Sequence, residues 1–334
     1  MRPLNTAGAP FEPYPLLRHP HCMTVLPRFW PRRGVLDGVP TTARLFSVAP
    51  RSQLLGHCHW QPHAHGHPTL ILIHGLEGCS DSHYMRGIAR KAWRAGLNVI
   101  RLNQRNCGGT EHLTPTLYHS GLSGDIRAVV VELSARDRLD RIWVAGYSMG
   151  GNLALRMAGE ARSALPALRG VVAVGPNINP GDCVTALERP TNWMYHGYFL
   201  KRLKARLRRK AVLFPGEFEL ARLSGIRTLR EFDEVYTAPD GGYQNADDYY
   251  DRAGARHVLA GIEVPALIIT AQDDPFIPYS MFNTQAITSN SWIRLWAPEH
   301  GGHCGFIQRP RAGEDVYWAE NRLVEFIVDQ EGAC

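Results

Sequence analysis

The chain has no stretch approaching the ~20 apolar residues that a membrane-crossing helix needs, which argues against an integral membrane protein. No apolar segment lies within or just behind Met1-Arg-Pro-Leu-Asn-Thr-Ala-Gly-Ala-Pro10, so no secretory signal is read there. The seven cysteines (22, 58, 79, 107, 183, 304, 334) are odd in number, scattered, and include no C-x-x-C pair. That pattern suits a reducing compartment rather than a disulfide framework, so a soluble, cytoplasmic protein is expected. No internal repeat is evident, and a broad basic coat is also missing. The net charge of +6 is concentrated in residues 201–210, which hold seven of the 37 basic side chains and no acidic one. The remainder carries 30 basic against 31 acidic residues, a balance that argues against a nucleic-acid partner.

What the chain does have is an alternation of short apolar runs and helical patterns, over a length sufficient for a large core. The first 34 residues, rich in Pro, Arg and His, read as an irregular arm. An antiparallel pair, 35–48 and 54–60, follows. Apolar runs at Thr69–Ile73, Asn98–Leu102, Ile142–Ala145, Gly170–Val174, Ala266–Ala271 and Trp292–Ala297 read as strands. Segments 84–95, 121–135, 149–162, 280–287 and 315–329 read as helices between and after them. Such alternation predicts an α/β fold with a mostly parallel sheet and helices on both faces. About 90 residues between Val174 and Ala266 break the rhythm. Loops of that length are rarely structureless, so a mostly helical cap is predicted over the C-terminal edge of the sheet, where open α/β sheets bind ligands. The expected division is an arm (1–34), a core (35–174 and 262–334) and an inserted cap (175–261).

The most informative motif is Gly146-Tyr-Ser-Met-Gly-Gly151, directly after the apolar run Ile142–Ala145. A strand that turns sharply into a helix leaves no room for a Cβ two residues either side of the turn. Gly146 and Gly150 meet that need and hold Ser148 proud of the sheet edge, the arrangement of a nucleophile elbow. Leu153, Ala154, Met157, Ala158 and Ala161 then recur at helical spacing.

A serine hydroxyl needs a base to take its proton, and the base needs a carboxylate to fix its tautomer. The run Ala266-Leu-Ile-Ile-Thr-Ala-Gln-Asp-Asp-Pro-Phe-Ile-Pro278 offers Asp273 and Asp274 just after a late strand. Asp274 is favoured, because it is followed by two residues, an aliphatic one and Pro, the expected turn. His303, among glycines in Glu299-His-Gly-Gly-His-Cys-Gly-Phe306, is the base, with His300 as competitor. Donors for an oxyanion are expected from the backbone N–H of Met149 and of Leu76, the latter in His74-Gly-Leu-Glu-Gly78. Glu77 reads as an anchor for that loop. His57, His59, His63, His65, His67 and Cys58 invite a metal, but with no acidic ligand nearby a solvated loop is the default. Neither metal nor cofactor is implied.

These residues are carried in a wider pattern. His74-Gly-Leu-Glu-Gly78 with Ser80, Ser82 and Tyr84, Asn103-Gln-Arg-Asn-Cys-Gly-Gly109, Tyr118-His-Ser-Gly121 and Asp125 precede Gly146–Asn152. Phe232-Asp-Glu234, Gly242-Tyr243, Tyr249-Tyr250, Asp273-Asp-Pro-Phe276 and Gly301–Phe306 follow. Over His21 to about Phe306 the sequence resembles the YheT-type branch of the α/β-hydrolases, relatives of eukaryotic α/β-hydrolase-domain lipases. The resemblance implies an α/β-hydrolase fold, carboxylic-ester or lipid-ester hydrolysis, and nucleophile, acid and base at Ser148, Asp274 and His303. The sequence departs from the pattern at Asn106, where Arg-Gly-Cys is usual, and in residues 35–60. The alternatives are a non-catalytic protein on the same fold, or acyl transfer to an acceptor other than water. His119 and Asp125 lack the spacing of the common transferase signature and read as braces at a helix entry.

The substrate is a small-molecule or lipid ester whose acyl length and head group the sequence leaves open. In the helix expected around 193–213, Leu200, Leu203, Leu207 and Ala211 form one stripe, with Arg and Lys filling the opposite side. Two readings follow: a solvated cap face, or an interfacial helix resting on an anionic membrane.

Overall fold

The computed structural model describes residues 9–30, 32 and 34–332. Eight strands form one sheet: β1 (Thr42–Ala49), β2 (Ser52–His59), β3 (Thr69–Ile73), β4 (Asn98–Leu102), β5 (Ile142–Tyr147), β6 (Leu168–Val174), β7 (Ala266–Ile269) and β8 (Ile293–Trp296). Their order is β1-β2-β4-β3-β5-β6-β7-β8. β1 and β2 pair antiparallel, β2 meets β4 antiparallel, and the remaining neighbours are parallel. The first strand begins at Thr42 rather than 35, because Gly34 and Gly38 take left-handed backbone angles and spend residues 34–38 on a turn.

Eleven α-helical segments accompany the sheet among the described residues: α1 (Pro20–Val25), α2 (His83–Arg94), α3 (Ser123–Asp137), α4 (Met149–Ala161), α5 (Pro180–Leu187), α6 (Trp193–Leu213), α7 (Leu229–Phe232), α8 (Ala238–Asp240), α9 (Ala246–Ala253), α10 (Gln285–Thr288) and α11 (Trp318–Gly332). The parallel strands are apolar on both faces because both are covered. Leu70 and Leu72 of β3 pack with Met85, Ile88 and Ala92 of α2 and Leu323 and Phe326 of α11. Ile71 and Ile73 pack on the other side with Ile126 and Val129 of α3 and Leu153 and Met157 of α4. A one-residue slip would exchange the two sets, so this two-layer packing fixes the register.

Two local expectations are corrected. The single helix predicted over 280–287 is a 3₁₀ turn, Tyr279–Phe282, and then α10, because Thr284 is extended and starts a new helix. The arm is not irregular throughout: α1 sits within it, and Met23 is fully buried. Between β6 and β7, residues 175–265 carry α5 to α9 and, among the described residues, no strand.

Every connection of interest leaves the C-terminal edge of the parallel sheet. β3 runs into His74–Gly78, β5 into Ser148, β7 into Asp273–Asp274, and β8 into the loop 299–306.

Candidate active site

The turn after β5 is built by excluded volume. A Cβ on Gly146 would sit 2.1 Å from the Gly150 carbonyl, and one on Gly150 would sit 2.4 Å from the Ile73 carbonyl oxygen. With both absent, β5 approaches α4 closely enough to force Ser148 to φ 53°, ψ −119°. A residue other than glycine keeps such a backbone only where its surroundings over-determine it. Ser148 precedes α4, so Met149 N–H is the first amide of the helix and points out at its positive end. The 74–78 loop lies against the same turn, since a Cβ on Gly75 would be 3.1 Å from Ser148 Cβ. Among the described residues neither Leu76 N–H nor Met149 N–H has a protein acceptor.

His74 and Glu77 hold this loop from two sides. His74 is wholly buried: Nδ1 bonds the Gly75 carbonyl at 2.8 Å, and Nε2 accepts the Gln104 N–H at 3.1 Å. Burial pushes its pKa down to about 4, so it stays neutral and structural. Glu77 has φ 57° and a buried carboxylate that meets Arg206, Arg202 and the Tyr118 hydroxyl. Burial alone would raise its pKa, but the Arg206 guanidinium holds it below the usual carboxylate range.

The two aspartates after β7 diverge. The Asp274 carboxylate is fully buried, and its Oδ2 lies 2.8 Å from His303 Nδ1. Its Oδ1 accepts the N–H groups of Phe276 at 3.0 Å and Ile277 at 2.9 Å, which fixes the carboxylate within its turn. Asp273 instead accepts the Gly302 N–H at 2.9 Å and faces His300 Nδ1 at 3.3 Å. Burial by itself would lower the His303 pKa, yet the Asp274 carboxylate and the neighbouring Cys304 together outweigh it and hold the imidazole above its ordinary range.

The His303 loop is braced from the arm. Thr24 Oγ1 accepts the His303 N–H at 2.8 Å, and a Cβ on Gly305 would sit 2.0 Å from the Met23 carbonyl oxygen. Phe276 packs against His303 with the rings tilted and their centroids 4.1 Å apart, and Tyr195 of α6 stands 5.1 Å from Phe276. His303 Nε2 is 3.7 Å from Cys304 Sγ, and among the described residues no hydrogen bond joins it to Ser148 Oγ. Catalytic hydrogen bonds are often long in unliganded sites and tighten when substrate binds.

Other singled-out residues go elsewhere. His119 and Asp125 do not meet: Asp125 forms a two-pronged pair with Arg105, while His119 Nδ1 accepts the Gly121 N–H. His59 is a buried core histidine between Pro40, Thr41 and Arg101. Among the described residues no cluster of His, Cys, Asp and Glu is arranged to hold a metal ion. Among the described residues six cysteines are free thiols, and no helix is long and apolar enough to cross a membrane. The pattern expected of α6 needs correcting. Arg206 and Lys210 are 5% and 0% exposed and face inward beside Leu200 and Leu207, because buried partners on the core receive them. Sequence reasoning missed Arg206, Cys304 and the Thr24 brace. Phe276 and Cys304 lie inside motifs visible in the sequence, and Arg206 within the basic run, but nothing there gave their roles.

Residues 68–310 match the family model described as the alpha/beta hydrolase fold. The chain is 30% identical over 324 residues to the Escherichia coli (strain K12) protein named "Putative esterase YheT", covering 96% of this chain and 94% of that one. It is also 30% identical over 242 residues to Phospholipase ABHD3 of Mus musculus, covering 72% of this chain and 59% of that protein. Among solved structures, 2,6-dihydroxy-pseudo-oxynicotine hydrolase superposes with a TM-score of 0.60 at 18% identity, covering 89% of this chain and 70% of that one, a likeness of fold. The chain belongs to the α/β-hydrolase fold family.

Proposed function

We propose that this chain is a serine esterase that cleaves carboxylic esters through an acyl-enzyme. The observation that carries the reading is the 2.8 Å Asp274–His303 pair at the same sheet edge as the strained Ser148 turn, where Ser148 N–H and Cys304 Sγ both reach the Val174 carbonyl oxygen. The relatives named as an esterase and a phospholipase support ester hydrolysis in general. In this reading Ser148 Oγ attacks the ester carbonyl carbon as His303 Nε2 takes its proton. The carbonyl oxygen becomes an oxyanion held by Leu76 N–H and Met149 N–H. Collapse breaks the bond to the alcohol oxygen, which leaves with the proton from His303. Water then repeats the sequence on the acyl-enzyme, releasing the acid and restoring Ser148.

We take residues 175–261 as a cap and the surface beneath α6 as the acyl site. Leu76, Cys107, Tyr118, Leu122, Met149 and Leu203 form one apolar cluster spanning the oxyanion loop, the nucleophile turn and α6. An acyl chain laid there gains about 0.8 kcal/mol per buried CH₂, roughly fourfold in kcat/KM. A series of p-nitrophenyl esters from acetate upward is therefore expected to rise about fourfold per carbon until the surface is filled. Highest activity on acetate with a steady fall thereafter would contradict this site.

A lipid surface as the source of substrate is favoured by the outer side of α6. Trp193, Met194 and Tyr198 are 69%, 54% and 42% exposed, next to exposed Lys201. Trp193→Ala with Met194→Ala should weaken sedimentation with phosphatidylglycerol vesicles roughly tenfold, equivalent to ~1.4 kcal/mol of lost apolar burial. Unchanged sedimentation, or none for the parent protein at low salt, argues for a merely solvated face.

A further inference from the structure

Seven basic residues on one helix suggest a surface charge, but the structure turns several of them onto the core at one place. Arg206 Nε and Nη2 reach the Glu77 carboxylate at 3.0 and 2.9 Å, a two-pronged contact between side chains 6% and 2% exposed. Its Nη1 donates to the Asn106 carbonyl and lies 3.3 Å from Cys107 Sγ. The guanidinium stands 4.9 Å over the Tyr118 ring. Tyr118 in turn closes on Glu77 twice: its oxygen accepts the Glu77 N–H at 3.0 Å, and its hydroxyl donates to Oε1 at 2.8 Å.

Both core residues that Arg206 grips are left-handed without being glycine, Glu77 at φ 57° and Asn106 at φ 65°. Side-chain-bearing residues keep such angles only where their surroundings over-determine them. One turn further along α6, the buried Lys210 bonds Asn106 Oδ1 at 2.9 Å and the Thr114 carbonyl. Asn106 thereby gains a partner that glycine could not supply. A segment distant in the chain thus locks the backbone of the 74–78 loop at the residue that follows Leu76.

We infer that Arg206 is a positioning residue that couples the seating of α6 to the geometry of the oxyanion hole, so that Leu76 N–H is aimed only when α6 is docked. The inference rests on the esterase reading. Its chemistry asks for arginine, because a planar fork fixes two carboxylate oxygens where lysine offers a point charge. Glu77 cannot serve as an acid in the reaction while both oxygens are occupied by Arg206 and Tyr118.

The test uses Arg206→Lys and Glu77→Gln, which keep volume and polarity, with Arg209→Gln as the reference variant. Arg209, on the same helix as Arg206, pairs with Glu111 of the core at 2.7 Å and does not touch Glu77. Turnover of a p-nitrophenyl ester is read beside the affinity for butaneboronic acid, which forms a tetrahedral adduct and so reports the oxyanion hole. Arg206→Lys should lower kcat about 10- to 100-fold with KM within about twofold, and weaken boronate binding by the same factor. Glu77→Gln should behave alike, and the double variant should lose no more than the worse single one, because both remove one contact. Arg209→Gln should leave both readouts unchanged. Wild-type kcat and boronate affinity in Arg206→Lys would overturn the inference. So would equal losses in Arg206→Lys and Arg209→Gln that track lowered thermal stability. A parent protein that neither turns over ester nor reacts with a fluorophosphonate defeats the esterase reading itself, and this inference with it.

Discussion

Ser148→Ala is expected to reduce ester turnover by about 10⁵–10⁶-fold, to the level set by binding and the oxyanion donors alone. It is also expected to leave thermal stability within error of the parent. The two halves of this expectation have separate causes. Ser148 Oγ makes no side-chain hydrogen bond among the described residues, so deleting it leaves no buried group unsatisfied. The backbone strain at φ 53° is imposed by β5 and α4 and is the same for alanine. A loss of activity without loss of stability therefore isolates the chemistry of the oxygen. Rates of p-nitrophenyl ester hydrolysis and a thermal melt on the same preparation check it. Activity within about tenfold of the parent would mean that another group attacks the ester.

Asp274→Asn should cost about 10⁴-fold in kcat, and the geometry explains why the nearly isosteric change is so damaging. Oδ1 of this residue accepts two backbone N–H groups, from Phe276 and Ile277. An asparagine must keep its oxygen there, which turns its NH₂ toward His303 Nδ1 in place of Oδ2. The imidazole then accepts at Nδ1 and carries its proton on Nε2, the nitrogen that has to take the proton from Ser148. The pH profile should move as well. In the parent protein Asp274, with Cys304 beside it, holds the His303 pKa above its ordinary value, so His303 is protonated and unable to act as base until pH rises through that raised pKa. Activity is therefore lost as pH falls through it. Removing the carboxylate leaves burial, which lowers the pKa, as the dominant influence. The acid limb of kcat/KM should shift to lower pH in Asp274→Asn even though the plateau is far lower. An unshifted limb would assign that ionisation to another group.

The parallel strands could be read from the sequence because each is an apolar run bounded by turn residues, and the sheet buries both faces. Thr69–Ile73 and Asn98–Leu102 match the structure to the residue. The Ser148 turn was legible for a related reason: two glycines at fixed offsets answer to a contact of 2.1–2.4 Å, and that steric demand is local. Demands set by distant partners left little trace. A helical wheel of α6 counts its charges but cannot see that Glu77, Glu111 and Asn106 wait beneath it. Arg206 and Lys210 consequently look like solvent-facing residues until the core is in place. Asp273 and Asp274 differ by one position; the residues after them favour Asp274, and the hydrogen bonds of the following turn to its Oδ1 show how it is held toward His303. Cys304 reaches Nε2 of its own neighbour because its φ is 59°, a backbone choice that nothing in the string Gly-Gly-His-Cys-Gly announces. The arm gave no helical signal beyond Pro20, yet Thr24 in α1 supports the His303 loop.

The most direct measurement is an acid quench of the protein during turnover of a p-nitrophenyl ester, followed by intact mass and peptide mapping. The expected outcome is a mass increase of one acyl group, carried on the peptide containing Ser148 and absent from Ser148→Ala. An adduct on another residue, Cys304 beside the His303 imidazole included, or steady turnover with no covalent species in either protein, would contradict a serine acyl-enzyme.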